Sequence, residues 1–195
     1  MGFVPSEAKA EVKERTRKQW ELVAPLDYEG QQDSYAVPVG QTTDFASVPR
    51  IFAWFIPPYG RYTKAAILHD YLWRVLAAEG KMEWIDADGL LRRAMRELGV
   101  PFLQRWIMWA AVRWAALLKP RGLQGAWREL PRMLLVTLLA LPLVLPPAVL
   151  IVAALLVYQL LEWIAWVPLK LGAVIKDRRG QPRKELVDPK ITFRL

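Results

Sequence analysis

Between Met133 and Leu161 the chain runs for 29 residues without a charged side chain. A helix crosses the hydrocarbon core of a bilayer in about 20 apolar residues, so this stretch is long enough to sit in lipid. Pro142, Pro146 and Pro147 interrupt it. Each proline removes a backbone donor and crowds the preceding turn, which disfavours a straight helix. Met133–Leu145 lies before the Pro146–Pro147 pair, and Ala148–Leu169 after it is again close to span length, broken only by Glu162.

The flanks bear on topology. Arg121, Arg128 and Arg132 precede the run, and Lys170, Lys176, Arg178, Arg179, Arg183 and Lys184 follow it. A single span normally has one basic end, on the cytoplasmic side. Two basic ends place both on the same side. The expected arrangement is a helical hairpin that dips into the bilayer and turns at Pro146–Pro147. Trp163 and Trp166 would then lie at the interface with Arg132 and Lys170. The rival is one kinked transmembrane segment. A pair of buried core helices would leave too little polar face to meet water.

Charge follows the same division. Residues 1–112 hold 14 Lys+Arg and 14 Asp+Glu, and residues 113–195 hold 13 and 5, which accounts for the whole net charge of +8. The basic character therefore surrounds the apolar run. That placement points to a lipid bilayer with anionic headgroups as partner, ahead of nucleic acid. Cysteine is absent, which excludes disulfides and thiolate chemistry. The N-terminal residues are charged and lack the apolar core of a secretory signal peptide.

The chain divides into four parts. Residues 1–24 read as a charged helical arm, with Ser6 as N-cap of a helix over Glu7–Leu22. Residues 25–119 form a core domain. A small hairpin is expected from Glu21–Tyr28 and Ser34–Val39, with Gly30 between them and Pro38 restricting its strand to an edge. Three helices follow: one beginning after Thr63, one over about Glu83–Leu98, and one from Pro101 to about Leu118. Residues 120–172 are the membrane segment and 173–195 a basic tail. The fold class is α+β, mainly helical.

One constellation carries chemistry. His69, the single histidine, shares a helical face with Leu72, Trp73 and Leu76. On the next helix Asp88 falls in the stripe Trp84, Leu91, Met95 and Leu98, an inward face. A buried charge needs a partner, and a carboxylate that orients an imidazole makes it a usable general base. The pairing requires the first helix to end near Val75, with Ala77–Met82 as loop. The alternative is a histidine satisfied by a local carbonyl, with Asp88 paired to Arg74. Asp70 points about 100° away from His69 and could ligate a metal, or stand as an exposed carboxylate near Lys64 or Arg74. Asp44 is a turn residue that could supply a second metal oxygen or face Arg50. Only oxygen ligands are at hand, so calcium is the ion they would suit. Ser47 could cap a short helix or act as a nucleophile beside His69. On the third helix Arg105, Arg113, Trp106, Trp109 and Trp114 interleave basic and aromatic residues. Beside the apolar run, that pattern reads as an interfacial helix.

The runs TDFASVPR, PPYGRYTKAAILHDYLW, DADGLLRRAM and GVPFLQRWIMWAAVRW, in that order, closely resemble a family of uncharacterised small proteins encoded by tailed phages and prophages. The likeness covers roughly Leu26 to Trp114. It implies a phage context and no particular reaction. A weaker likeness joins AA-x-x-HD and a downstream AD to the calcium-dependent phospholipases. That resemblance would make His69 the base, Asp70 a calcium ligand and Asp88 the residue orienting His69. The glycine-rich calcium loop of those enzymes is not evident, and Trp73 stands where they usually carry tyrosine.

Two functions are expected from these features. One is a phage-encoded protein acting without catalysis at the host inner membrane or in the virion, with other phage proteins as partners, in entry, assembly or lysis. The other is a membrane-associated lipid hydrolase.

Overall fold

The computed structural model describes residues 2–5, 9–16, 19–30, 33–45, 48, 52–123 and 125–178. Among the described residues six short strands come first: β1 (Gly2–Val4), β2 (Val12–Thr16), β3 (Gln19–Leu22), β4 (Leu26–Glu29), β5 (Ser34–Val37) and β6 (Thr42–Thr43). They form two antiparallel three-stranded sheets, ordered β1-β4-β5 and β2-β3-β6. The expected hairpin is β4–β5, with Leu26 opposite Val37 and Tyr28 opposite Tyr35. Pro38 follows β5, which is an edge strand.

The N-terminal arm is a correction. The helix expected over Glu7–Leu22 is replaced by β2 and β3, an antiparallel pair with Lys13 opposite Glu21. Its Lys/Glu-rich composition favours a helix locally, but the alternating Trp20 and Leu22 turn inward, and Trp20 pairs with the distant Thr43. Tertiary pairing overrides propensity here. Ser6, the expected N-cap, lies outside the described residues, as does the basic tail beyond residue 178.

Helices α1 (Thr63–Tyr71), α2 (Trp84–Glu97) and α3 (Phe102–Leu117) follow. α1 continues into a π-helical turn over Leu72–Leu76, closed by the Ala77 N–H donating to the Leu72 carbonyl at 2.8 Å. Helix α2 ends at Gly99, whose φ of +70° suits a residue without a Cβ. There the Val100 N–H reaches the Met95 carbonyl and the Gly99 N–H reaches that of Arg96, both at 3.0 Å. This is a Schellman closure. Pro101 then starts α3 at once, so α2 and α3 lie side by side.

The core sits between the sheets and α1–α2. Leu22, Leu26, Tyr28 and Val37 from the strands meet Ala65, Leu68, Leu72, Leu91 and Met95 from the helices, each almost wholly buried. Helix α1 is covered on nearly all sides, with Ala65, Ala66, Ile67, Leu68 and Asp70 all buried.

A turn over Pro120–Leu123 joins α3 to α4 (Ala126–Arg178), a helix of 53 residues. A Cβ at Gly122 would run into the Ala116 carbonyl oxygen, so this joint requires glycine. The helix continues through Pro142, Pro146 and Pro147, which corrects the expected hairpin. Each proline deletes one donor, and the bonds on either side keep the ladder going. Arg132 and Lys170 therefore stand at opposite ends of the apolar length and not at one shared interface. By length and composition α4 could cross a membrane, and only 6% of its most apolar window is buried in the rest of the chain. Its first turns pack on α3, where Met133 and Val136 join Trp106, Trp109, Ala110 and Leu117.

Candidate functional site

The π turn and the loop after it bring α2 back along α1 in the register the sequence requires. The His69 Nε2 lies 2.7 Å from the Asp88 Oδ1. Asp88 is fully buried, and the His69 side chain is 14% exposed. Asp88 does not reach Arg74. Its second oxygen accepts a hydrogen bond from the Arg113 NH1 at 2.8 Å, and Arg113 is also fully buried. A carboxylate only accepts, so the His69 Nε2 donates to it and Nδ1 is the ring atom left for other partners.

Three helices thus meet at one carboxylate: His69 from α1, Asp88 from α2 and Arg113 from α3. Sequence reasoning read Arg113 as part of a basic and aromatic surface, and that reading is corrected. Trp109, Arg113 and Ala116 are buried at spacings of four and three, with buried Ala110 three before Arg113, so Arg113 belongs to the inner face of α3. That spacing was the available signal. The Arg113 Nε and NH2 find no partner among the described residues. Buried donors left unpaired cost about 1–3 kcal/mol. The network therefore fixes geometry more than it adds stability. Trp106 is half-buried, and the Arg92 guanidinium lies 4.2 Å from its ring centroid.

A second polar cluster sits on the other side of α1. Asp70 is buried and accepts a hydrogen bond from the Thr43 hydroxyl at 2.6 Å. The Arg74 NH2 lies 3.4 Å from the Asp70 Oδ1 and 2.6 Å from the Asp44 Oδ1. The same Thr43 hydroxyl accepts from the Phe45 N–H at 2.9 Å, which fixes the loop carrying Asp44. Burial pushes the Asp70 carboxyl up to about 6; Arg74 and the Thr43 hydroxyl oppose that rise, and Asp44 adds to it. Asp70 is therefore not the exposed carboxylate that the alternative reading allowed, because α1 has no solvent face at that position.

These residues do not fit calcium. The cation between Asp44 and Asp70 is the Arg74 guanidinium, and Asp70 favours its neutral form more than a free carboxylate does. Calcium takes six to eight oxygens. Among the described residues no group of three or more acidic or histidine side chains is arranged to hold a metal ion. Ser47 and Arg50 lie outside the described residues. At the far end of the apolar length the Trp163 and Trp166 rings meet edge to face at 5.9 Å, and the Lys170 ammonium lies 4.1 Å from the Trp166 ring centroid. At the near end Arg132 pairs with Glu129 at 3.1 Å.

Residues 20–112 match a family described as a protein of unknown function, DUF1353, so a domain of that kind spans just under half of the chain. The match includes His69, Asp70 and Asp88 and stops one residue before Arg113. No curated protein and no solved structure matches the chain.

Proposed function

We propose that this chain is a phage-encoded membrane protein in which α4 anchors the domain of residues 20–112 to a bilayer, and that it acts there without catalysis, at the host inner membrane or in the virion. The carrying observation is α4. Most of its 29 uncharged residues are exposed, and a soluble protein rarely leaves so long an apolar surface in water. Arg128 and Arg132 stand at one end and Lys170 at the other, where headgroups would meet them. The phage context rests on the motif resemblance. In this reading His69, Asp88 and Arg113 form an internal lock that holds three helices in place.

Membrane attachment is tested by expressing the full chain in bacteria and washing the membranes with alkaline carbonate. Retention in the pellet, lost when Leu150 and Leu156 are both changed to Arg, is the expected outcome. Release of the unaltered chain by the wash would overturn the anchor.

A lipid hydrolase is the second reading, favoured by the 2.7 Å contact between His69 and Asp88. In it Asp88 holds the imidazole and Nδ1 takes a proton from water. Against it, Arg113 takes the second Asp88 oxygen, and among the described residues no group of three or more acidic or histidine side chains is arranged to hold a metal ion. Release of fatty acid from anionic liposomes, with and without calcium, compared between the native chain and His69→Ala, separates the two readings. Release lost in the variant establishes the hydrolase, and its absence from folded, liposome-bound protein leaves the lock.

A further inference from the structure

Helix α3 has two unlike faces. Arg113 and Ala116 are buried, Arg113 on the Asp88 carboxylate, and Trp109 is buried against Met133 of α4. On another side Leu103, Ala111, Trp114 and Leu118 lie along one stripe, while Ile107, which falls in the same line, packs against the domain core. Its members carry no charge. Leu103 is 58% exposed, Trp114 37% and Leu118 88%, while Ile107 is half-buried. A stripe of this kind facing water marks an interaction surface.

The stripe adjoins α4. The Trp114 Nε1 donates to the Thr137 hydroxyl at 3.0 Å, and that hydroxyl donates in turn to the Met133 carbonyl at 2.7 Å. The contact fixes where along α4 the domain sits. Of the uncharged run, Met133 and Val136 pack on the domain, and residues 138–161 lie beyond that contact. These 24 residues would extend about 36 Å as helix, against about 30 Å of hydrocarbon. The edge of the hydrocarbon therefore falls within about one turn of Thr137, level with Trp114. Trp127, 84% exposed, and the exposed Arg128 stand on the domain side of that level. Such residues suit anionic headgroups.

We infer that the outer face of α3, from Leu103 to Leu118, lies in the headgroup region of the same bilayer that α4 enters, so that the domain is docked on lipid and does not hang from α4 as a tether. This rests on the membrane reading of α4. Helix α3 would lie along the surface as an interfacial element, and the Arg113–Asp88 contact sets the rotation that turns its stripe outward.

The chain has no native cysteine, so single-cysteine variants need no further change. Leu103→Cys and Leu118→Cys test the stripe, Leu150→Cys tests α4, and Val39→Cys, 58% exposed, is the water reference. Each full-length variant is labelled with an environment-sensitive fluorophore and reconstituted in vesicles of phosphatidylcholine and phosphatidylglycerol carrying spin-labelled lipid. The expected result is a blue shift at 103 and 118, with quenching strongest by headgroup-proximal spin labels, and deep quenching at 150. Water-like emission at 103 and 118, with 150 in lipid, overturns the docking and leaves the anchor standing. Water-like emission at 150 as well overturns both. Shielding at 103 and 118 without lipid quenching, and with energy transfer between copies that rises with protein density, assigns the face to a second copy and overturns the lipid assignment.

Discussion

The domain and α4 treat the same side chain in opposite ways. Leu68 and Leu72 are fully buried, whereas Leu138 is 66% exposed and Leu150 71%. The domain admits ions to its interior and pairs them: Asp88 with His69 and Arg113, and Asp70 with Thr43 and Arg74. Helix α4 admits none for 29 residues. The domain makes its own low-dielectric interior and needs internal partners for each charge. Helix α4 makes no interior, and its apolar surface is suited to a solvent that the domain does not supply.

The sharpest way to break this contrast is to strand an ion in the domain. Arg113→Met leaves Asp88 buried with His69 as its remaining partner. Breaking a buried pair costs about 3–5 kcal/mol, so urea unfolding of the domain in micelles should shift by about that amount. Adding Asp88→Leu to Arg113→Met should recover most of the loss, because the double variant buries no uncompensated charge. An Arg113→Met variant as stable as the native chain would show that the three-helix junction is not a lock.

A charge in α4 should act on insertion and leave the domain alone. Leu150→Arg is expected to cost about 2.5–3.5 kcal/mol of membrane insertion, the scale for arginine at a helix centre. Domain unfolding should be unchanged. Leu68→Ala is the converse, at about 2–5 kcal/mol of domain stability with insertion unaltered. If Leu150→Arg unfolds the domain instead, α4 is part of its core and the contrast fails.

The third test uses pH. Asp70 sits at about 6 in the folded chain against 3.8 for an unperturbed carboxyl, so between these values the folded state holds the extra proton. Its stabilising contribution is full below 3.8 and is lost as pH rises through about 6. The groups facing it are Thr43, Arg74, Asp44 and His69. Measured as the difference between the native chain and Asp70→Asn, domain stability should fall by about 1–3 kcal/mol from pH 4 to pH 7. A difference that does not vary with pH would mean that Arg74 and Thr43 fully offset the burial.

How much of this was legible depended on how local each cause is. The three domain helices stood within a few residues of their expected bounds, because apolar spacing, Gly99 and Pro101 mark them in sequence; the hairpin was found as β4–β5, but Glu21 and Leu22, expected in its first strand, belong to β3 of the other sheet. The His69–Asp88 contact was legible as one of two alternatives: each residue lies on an apolar face, but the register hung on where the first helix ends, which the sequence left open. β2 and β3 were not legible, since the pairing of Trp20 with Thr43 is absent from their own composition. Asp70 was read as an open ligand or an exposed carboxylate because amphipathic reasoning assumes a solvent face, which α1 lacks. Arg113 was missed because α3 is apolar on both faces. Its outer stripe hid the fact that the inner one contained an arginine.

The smallest effect tests whether the two regions are coupled at all. Trp114→Phe keeps an aromatic ring against α4 and removes the donor to Thr137. Thr137 still donates to the Met133 carbonyl, so no buried group is orphaned. The loss should be about 0.5–1.5 kcal/mol, nearer the lower end because this bond is exposed. Thr137→Val removes the acceptor instead, and the double variant should lose little more than either single one. A coupling of that size in domain unfolding ties the position of α4 to the fold of α3, as docking on lipid requires. If the two losses simply add, the domain and its anchor move independently, and the level of Trp114 along α4 is not fixed by this bond.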